Sequence, residues 1–122
     1  MASREQDSCV QNPDQIRIEE IRTLNDTFRK RPADGQLMLT EGIIALGGRA
    51  MMEVLLLVSE FDKFDPSNDP YGEHDFGAIT YRGHKLFWKI DYYDRSLKYG
   101  SENPADPSVT TRVLTVMLAR EY

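Results

Sequence analysis

Apolar residues along the chain fall into a few periodic stretches separated by polar, turn-rich segments. Ile18, Ile21, Leu24 and Phe28 recur at steps of three and four, which sets them on one helix face, with Arg17, Glu19, Glu20 and Arg22 off it. This helix, near residues 14–30, should stop before Pro32, because a proline steers the preceding residue away from helical angles. Ala33-Asp34-Gly35 then reads as a turn, and Gln36 to Thr40 as a short strand. Gly42 to Leu46 suits either a helical turn or a strand, and Gly47-Gly48 ends it. Arg49 to Phe61 carries Met51, Val54, Leu55 and Val58 on one side, and its length predicts a second helix over 49–62.

Asp65 to Gly72 is a loop rich in proline, aspartate and glycine. Two runs of β-formers follow, Asp75 to Tyr81 and Lys85 to Tyr93, and Arg82-Gly83-His84 between them predicts a hairpin with a three-residue turn. That turn would pair Tyr81 with Lys85, Gly77 with Lys89 and Asp75 with Asp91. It gathers Phe76, Ala78, Leu86, Trp88 and Ile90 on the core face, a match that a two-residue turn would break. After a loop from Tyr99 to Asp106, Asp106 suits a helix N-cap and Pro107 the first helical position. Val109, Val113, Leu114, Val116, Met117 and Leu118 then read as a third, buried helix near 107–120. The expected fold is α+β: a small antiparallel sheet built on a central β-hairpin and packed against about three helices. Residues 13–122 would form one domain behind a polar, disordered arm at 1–12.

Charge and composition narrow the function classes. Fifteen Lys and Arg stand against 20 Asp and Glu, a formal charge of -5, which disfavours direct nucleic-acid binding through a basic surface. The single cysteine, Cys9, allows no disulfide within the chain and points to a reducing, cytoplasmic setting. The longest apolar run, Val54 to Val58, is far short of the ~20 residues of a membrane span. There is no phosphate-binding or dinucleotide glycine loop, no zinc-type Cys/His spacing and no nucleophile elbow, so no motif names a cofactor.

The densest chemistry lies between Asn68 and Asp94, in Asn68, Asp69, Tyr71, Glu73, His74, Asp75, Lys89, Asp91, Tyr92, Tyr93 and Asp94. Directly opposed aspartates repel by about 0.2–1 kcal/mol unless a neighbour compensates. Either Lys89 does so on a solvated polar sheet face, or a divalent cation does. In the second case Asp75 and Asp91 hold the metal, His74 acts as base and Lys89 stabilises developing negative charge. Glu73 and Asp75 beside His74 would favour its imidazolium, and the ring either pins the loop by hydrogen bonds or catalyses. Trp88 suits the core, while Tyr71, Tyr92 and Tyr93 suit an interface more than a nucleic-acid stacking platform, given the charge.

Four segments carry a resemblance over about residues 16–122: Ile21-Arg22-Thr23-Leu24-Asn25-Asp26, Asn68-Asp69-Pro70-Tyr71-Gly72-Glu73-His74-Asp75-Phe76-Gly77, Trp88-Lys89-Ile90-Asp91-Tyr92-Tyr93-Asp94, and Thr111-Arg112-Val113-Leu114-Thr115 with Met117-Leu118-Ala119. They resemble a bacterial family of unknown function whose members are small and in many cases carried on plasmids or other mobile elements. The resemblance implies a role in maintaining the element or countering host defences, and brings no catalytic residues with it. Two functions are therefore expected from different classes. One is a small cytosolic interaction protein, an inhibitor or adaptor whose partner is another protein, such as a host enzyme that handles nucleic acid. The other is a metal-dependent hydrolase or nuclease using Glu73, His74, Asp75, Lys89 and Asp91.

Overall fold

The first helix, α1 (Pro13–Lys30), starts where the sequence places its signals. Asn12 is the N-cap, its side-chain oxygen accepting from the Gln15 amide at 2.7 Å, and Pro13 takes the first turn. The computed structural model describes residues 12–122, so the arm expected at 1–12 lies outside the described residues apart from this cap. The buried side of α1 holds Ile21, Asn25, Phe28 and Arg29, a stripe that includes two polar residues.

After a 3-10 turn at Pro32–Asp34 come β1 (Gln36–Leu39), α2 (Glu41–Ile44), α3 (Gly48–Glu60), β2 (Phe76–Tyr81), β3 (His84–Tyr93) and β4 (Thr111–Leu118). The ambiguous segment 42–46 thus begins in a short helix. The Gly42 amide at its start is met at 2.9 Å by the Glu121 carboxylate, which also accepts from the Thr40 hydroxyl at 2.6 Å. The sheet order is β1-β4-β3-β2, with β1 parallel to β4 and the other neighbours antiparallel. The fold is α+β as expected, with three helices and a four-stranded open sheet. The sheet is mixed, and the hairpin forms one edge of it, not its centre.

Two expectations are corrected. Residues 111–118 form a strand, not part of a third long helix over 107–120. Held between β1 and β3, β4 buries Arg112, Val113, Leu114, Val116, Met117 and Leu118, residues of both parities. A strand buried at positions of both parities reads as a continuous apolar run and imitates a helix that is apolar all round. The β-branched Thr111, Val113, Thr115 and Val116 favour the strand. Asp106 does cap, its carboxylate accepting from the Ser108 amide at 2.9 Å, but it opens only the 3-10 turn Pro107–Val109.

The hairpin turn has two residues, not three. Arg82 and Gly83 both take positive φ (49 and 83°), as in the primed turns whose twist matches that of the flanking strands. Tyr81 therefore pairs with His84, Gly77 with Trp88 and Phe76 with Lys89, one residue away from the expected register. Phe76 and Ala78 leave the core face, and Gly77, Ile79 and Tyr81 take their place. Gly77 suits this, since a Cβ there would meet the Trp88 indole and lie 2.9 Å from the Phe61 ring.

Trp88, Leu86, Ile90, Leu114, Val116 and Leu118 form the sheet side of the core. Phe28 of α1, Ile43 of α2, and Val54 and Val58 of α3 cover them from one side. On the other face the C-terminal turn brings Tyr122 against Phe76 and Phe87, and no helix among the described residues is long and apolar enough to span a membrane.

Candidate functional site

Two polar networks sit where α1 crosses the ends of β3 and β4. The first centres on Asn25, fully buried one helical turn beyond Ile21. Its amide nitrogen donates to the Glu73 carbonyl (3.0 Å) and the Tyr92 hydroxyl (2.8 Å), and its oxygen accepts from Arg112 Nε (2.7 Å). Tyr92 in turn donates to the Glu73 carboxylate at 2.8 Å, and Arg112 donates to the Pro104 carbonyl at 2.6 Å while lying over the Tyr92 ring. Burial, with Glu73 adding, raises the Tyr92 phenol above its ordinary value, so the ring keeps its proton as the donor. One amide thereby joins α1, the loop before β2, and strands β3 and β4.

The second network runs from Arg29 to Asp69. Arg29, buried over the Trp88 and Phe64 rings, donates to the Val58 and Phe61 carbonyls at the end of α3 and to Asp26 at 2.7 Å. Asp26 meets His74 Nδ1 at 2.9 Å, and the buried Asp69 lies 3.7 Å from Nε2. The imidazole stacks on Phe64 with ring centres 3.8 Å apart. His74 adopts a left-handed backbone (φ 57°), a conformation that costs a non-glycine residue about 1 kcal/mol or more. Asp69 holds it there by accepting from the His74 amide at 3.1 Å. His74 thus pins its loop by hydrogen bonds, one of its two expected roles. Its carboxylate partners are Asp26 and Asp69, not the adjacent Glu73 and Asp75 anticipated from the sequence. Arg22, donating to the Gly72 carbonyl at 2.7 Å, fastens the same loop to α1.

Asp75 does not oppose Asp91. Its carbonyl accepts from the Ile90 amide at 2.9 Å, while Asp91 pairs with Val113. Burial, and then the Glu73 charge, push the Asp75 carboxyl up to about 6, with smaller contributions from Asp69 and Asp91. Lys89 and Asp91 form a half-exposed ion pair at 3.2 Å on the uncovered sheet face, as the salt-bridge reading expected. They line a concavity of about 540 Å³ together with Met38, Tyr93, Val113, Met117 and Tyr122. Among the described residues, no three of His, Cys, Asp and Glu converge as a metal would require.

The remaining candidates organise loops. Asn68 donates to the Lys63 carbonyl at 3.0 Å, and Tyr71 is exposed. Asp94 accepts from the Ser96 hydroxyl and the Lys98 amide, and the Ser96 bond first among these contacts holds its carboxyl below the ordinary value. Asn25, Asp26, Arg29 and Arg112 were not anticipated as site residues. Their signal was legible in Asn25 and Arg29, which continue the inward stripe of Ile21 and Phe28 at helical spacing and place polar groups where core residues belong.

Comparison with curated proteins and with solved structures gave no match. A family model matches residues 39–121, which take in everything from the last residue of β1 to the C-terminal 3-10 turn and leave out α1. The chain belongs to the family described as "Protein of unknown function (DUF3768)".

Proposed function

We propose that this chain is a small protein-binding module that presents the uncovered face of its sheet to another protein. The observation that carries the reading is the one-sided covering of the sheet. Its open face holds Met38, Phe76, Phe87 and Tyr122 around the Lys89–Asp91 pair, with the Phe76, Phe87 and Tyr122 rings 5.2–6.0 Å apart, while Met117 on the same face is buried. An apolar patch with a small polar centre is typical of surfaces that bind protein. The ion pair, half-exposed and bonded only within itself, supplies orientation in place of core stability.

The net charge of -5 suits a partner with a basic surface, such as a host enzyme that handles nucleic acid. With the resemblance to a family many of whose members are carried on mobile elements, the fuller reading is a cytoplasmic inhibitor or adaptor that counters a host system. The alternative, a metal-dependent hydrolase or nuclease, gains no observation in its favour. Glu73 and His74 are engaged with Tyr92, Asp26 and Asp69, whereas Lys89 and Asp91 line the uncovered face.

The test is affinity capture from a bacterial lysate with mass spectrometry, run beside a Met38→Glu variant. Met38 is 55% exposed, so the variant should keep its fold. A partner retained by the parent and lost by the variant supports the reading. A partner captured equally by both moves the binding surface elsewhere, and magnesium or manganese binding by calorimetry that Asp91→Asn abolishes would favour the enzyme.

A further inference from the structure

Helix α3 carries apolar residues on both its enclosed and its exposed sides. Ala50, Val54 and Val58 are buried, whereas Met52 and Leu56 on the opposite side are 74% and 56% exposed. Ile44 of α2, also exposed, adds to the apolar surface of these helices. A contiguous exposed apolar patch rimmed by charged residues marks a surface that another chain covers.

The charges on α3 indicate what encloses it. Glu53 is engaged at home, accepting from the Tyr81 hydroxyl and lying 3.6 Å from Arg82. Arg49 and Glu60 are exposed and make no salt bridge among the described residues. By the helical repeat, both flank the Met52–Leu56 stripe on the same side, one at each end, about 16 Å apart along the axis.

We propose that a second copy of this chain covers the face, with α3 packed antiparallel against α3 of its partner. This uses a different surface from the sheet face and does not depend on that reading. A two-fold antiparallel pairing keeps the same flank of both helices together and reverses their ends. Arg49 of each copy then lies beside Glu60 of the other, at both ends of the contact. Met52 and Leu56 interleave with their counterparts between those pairs. A parallel pairing makes neither ion pair. The surface is thus complementary to itself in one orientation: the apolar stripe supplies affinity, and the rim charges, each worth at most about 1 kcal/mol, set the register.

Sedimentation velocity and light scattering on the full chain over a concentration series test this. The expected result is a monomer–dimer equilibrium. Leu56→Glu should weaken the dimer about a hundredfold with an unchanged circular dichroism spectrum. Arg49→Glu and Glu60→Arg should each weaken it by about tenfold, and the double variant should regain the parent's affinity. A chain that stays monomeric at every concentration overturns the proposal and leaves the face to a different protein. A dimer that tolerates Leu56→Glu, or one that the double charge exchange fails to restore, overturns it as well.

Discussion

On the covered face of the sheet, Asn25, Arg112, Tyr92 and Glu73 bond one another across four segments of the chain, and Arg29, Asp26, His74 and Asp69 form a second set beside them. On the uncovered face, Lys89 and Asp91 bond only each other, half in water. Both regions are polar, and both contain residues that the sequence marks as candidate chemistry: Asp69, Glu73, His74 and Tyr92 in the first, Lys89 and Asp91 in the second. They differ in what replaces their hydration. Buried groups lose water and depend on their partners, so removing one partner strands the rest. The exposed pair keeps its water, and its loss costs the fold little. A dense cluster of ionisable residues therefore says less about function than which face of the sheet it occupies.

Removing the hub is the largest way to test this contrast. Asn25→Leu keeps the volume but leaves Arg112 Nε and the Glu73 carbonyl without their bonds to this side chain, and the Tyr92 hydroxyl with only its bond to the Glu73 carboxylate. The denaturant midpoint should fall by the equivalent of about 3 kcal/mol at unchanged slope. A loss under about 1 kcal/mol would mean that the network contributes no more than the surface pair.

Asp75 should behave in the opposite sense. Its folded carboxyl titrates near 6 against an unfolded value of 3.8. Between those two values the folded chain holds a proton that the unfolded chain has released, so stability falls as pH rises through this window and is flat above it. Asp75→Asn should therefore stabilise the protein at neutral pH by roughly 1 kcal/mol, a figure reduced for the group's partial exposure. The gain should vanish as pH drops toward the unfolded value. Thermal melts of both chains across that range check it, and a gain independent of pH would point to a cause other than the charge.

The smallest expected effect on the fold is at the exposed pair. Lys89→Met should change stability by no more than about 0.5 kcal/mol, while weakening capture of the partner on the sheet face. A large loss of stability would show that the uncovered face serves the fold more than binding.

Much of this architecture was legible in the sequence where one periodicity dominated. α1, α3 and both hairpin strands stand close to their expected places because their patterns persist and their flanking prolines and glycines punctuate them. β4 was misread because its buried residues are of both parities and leave no alternation to show. The hairpin register turned on a choice between two turn lengths at Arg82-Gly83-His84, and hydrophobic matching favoured the wrong one. Gly77 opposite Trp88 was the clue to the other register, since a glycine in a strand marks close approach of a neighbour. That one-residue slip divided the predicted patch. Glu73, His74 and Tyr92 joined networks built on α1, whose inward polar residues show in the sequence only as helical spacing, with no chemical motif.

The position of β4 also bears on how the chain comes to be folded. During synthesis β1 emerges early, yet its partner in the sheet, from Val113 to Val116, is made after both strands of the hairpin. Until β4 inserts, β1 has no sheet to join, and the open side of β3 is an unsealed edge able to pair with another nascent chain. Local turns and helices can form meanwhile, but the contacts that close the sheet span most of the sequence and must come last. Folding of this sheet is thus tied to the completion of β4, and truncation within Thr111–Leu118 removes the keystone of the sheet while leaving most of the residues in place.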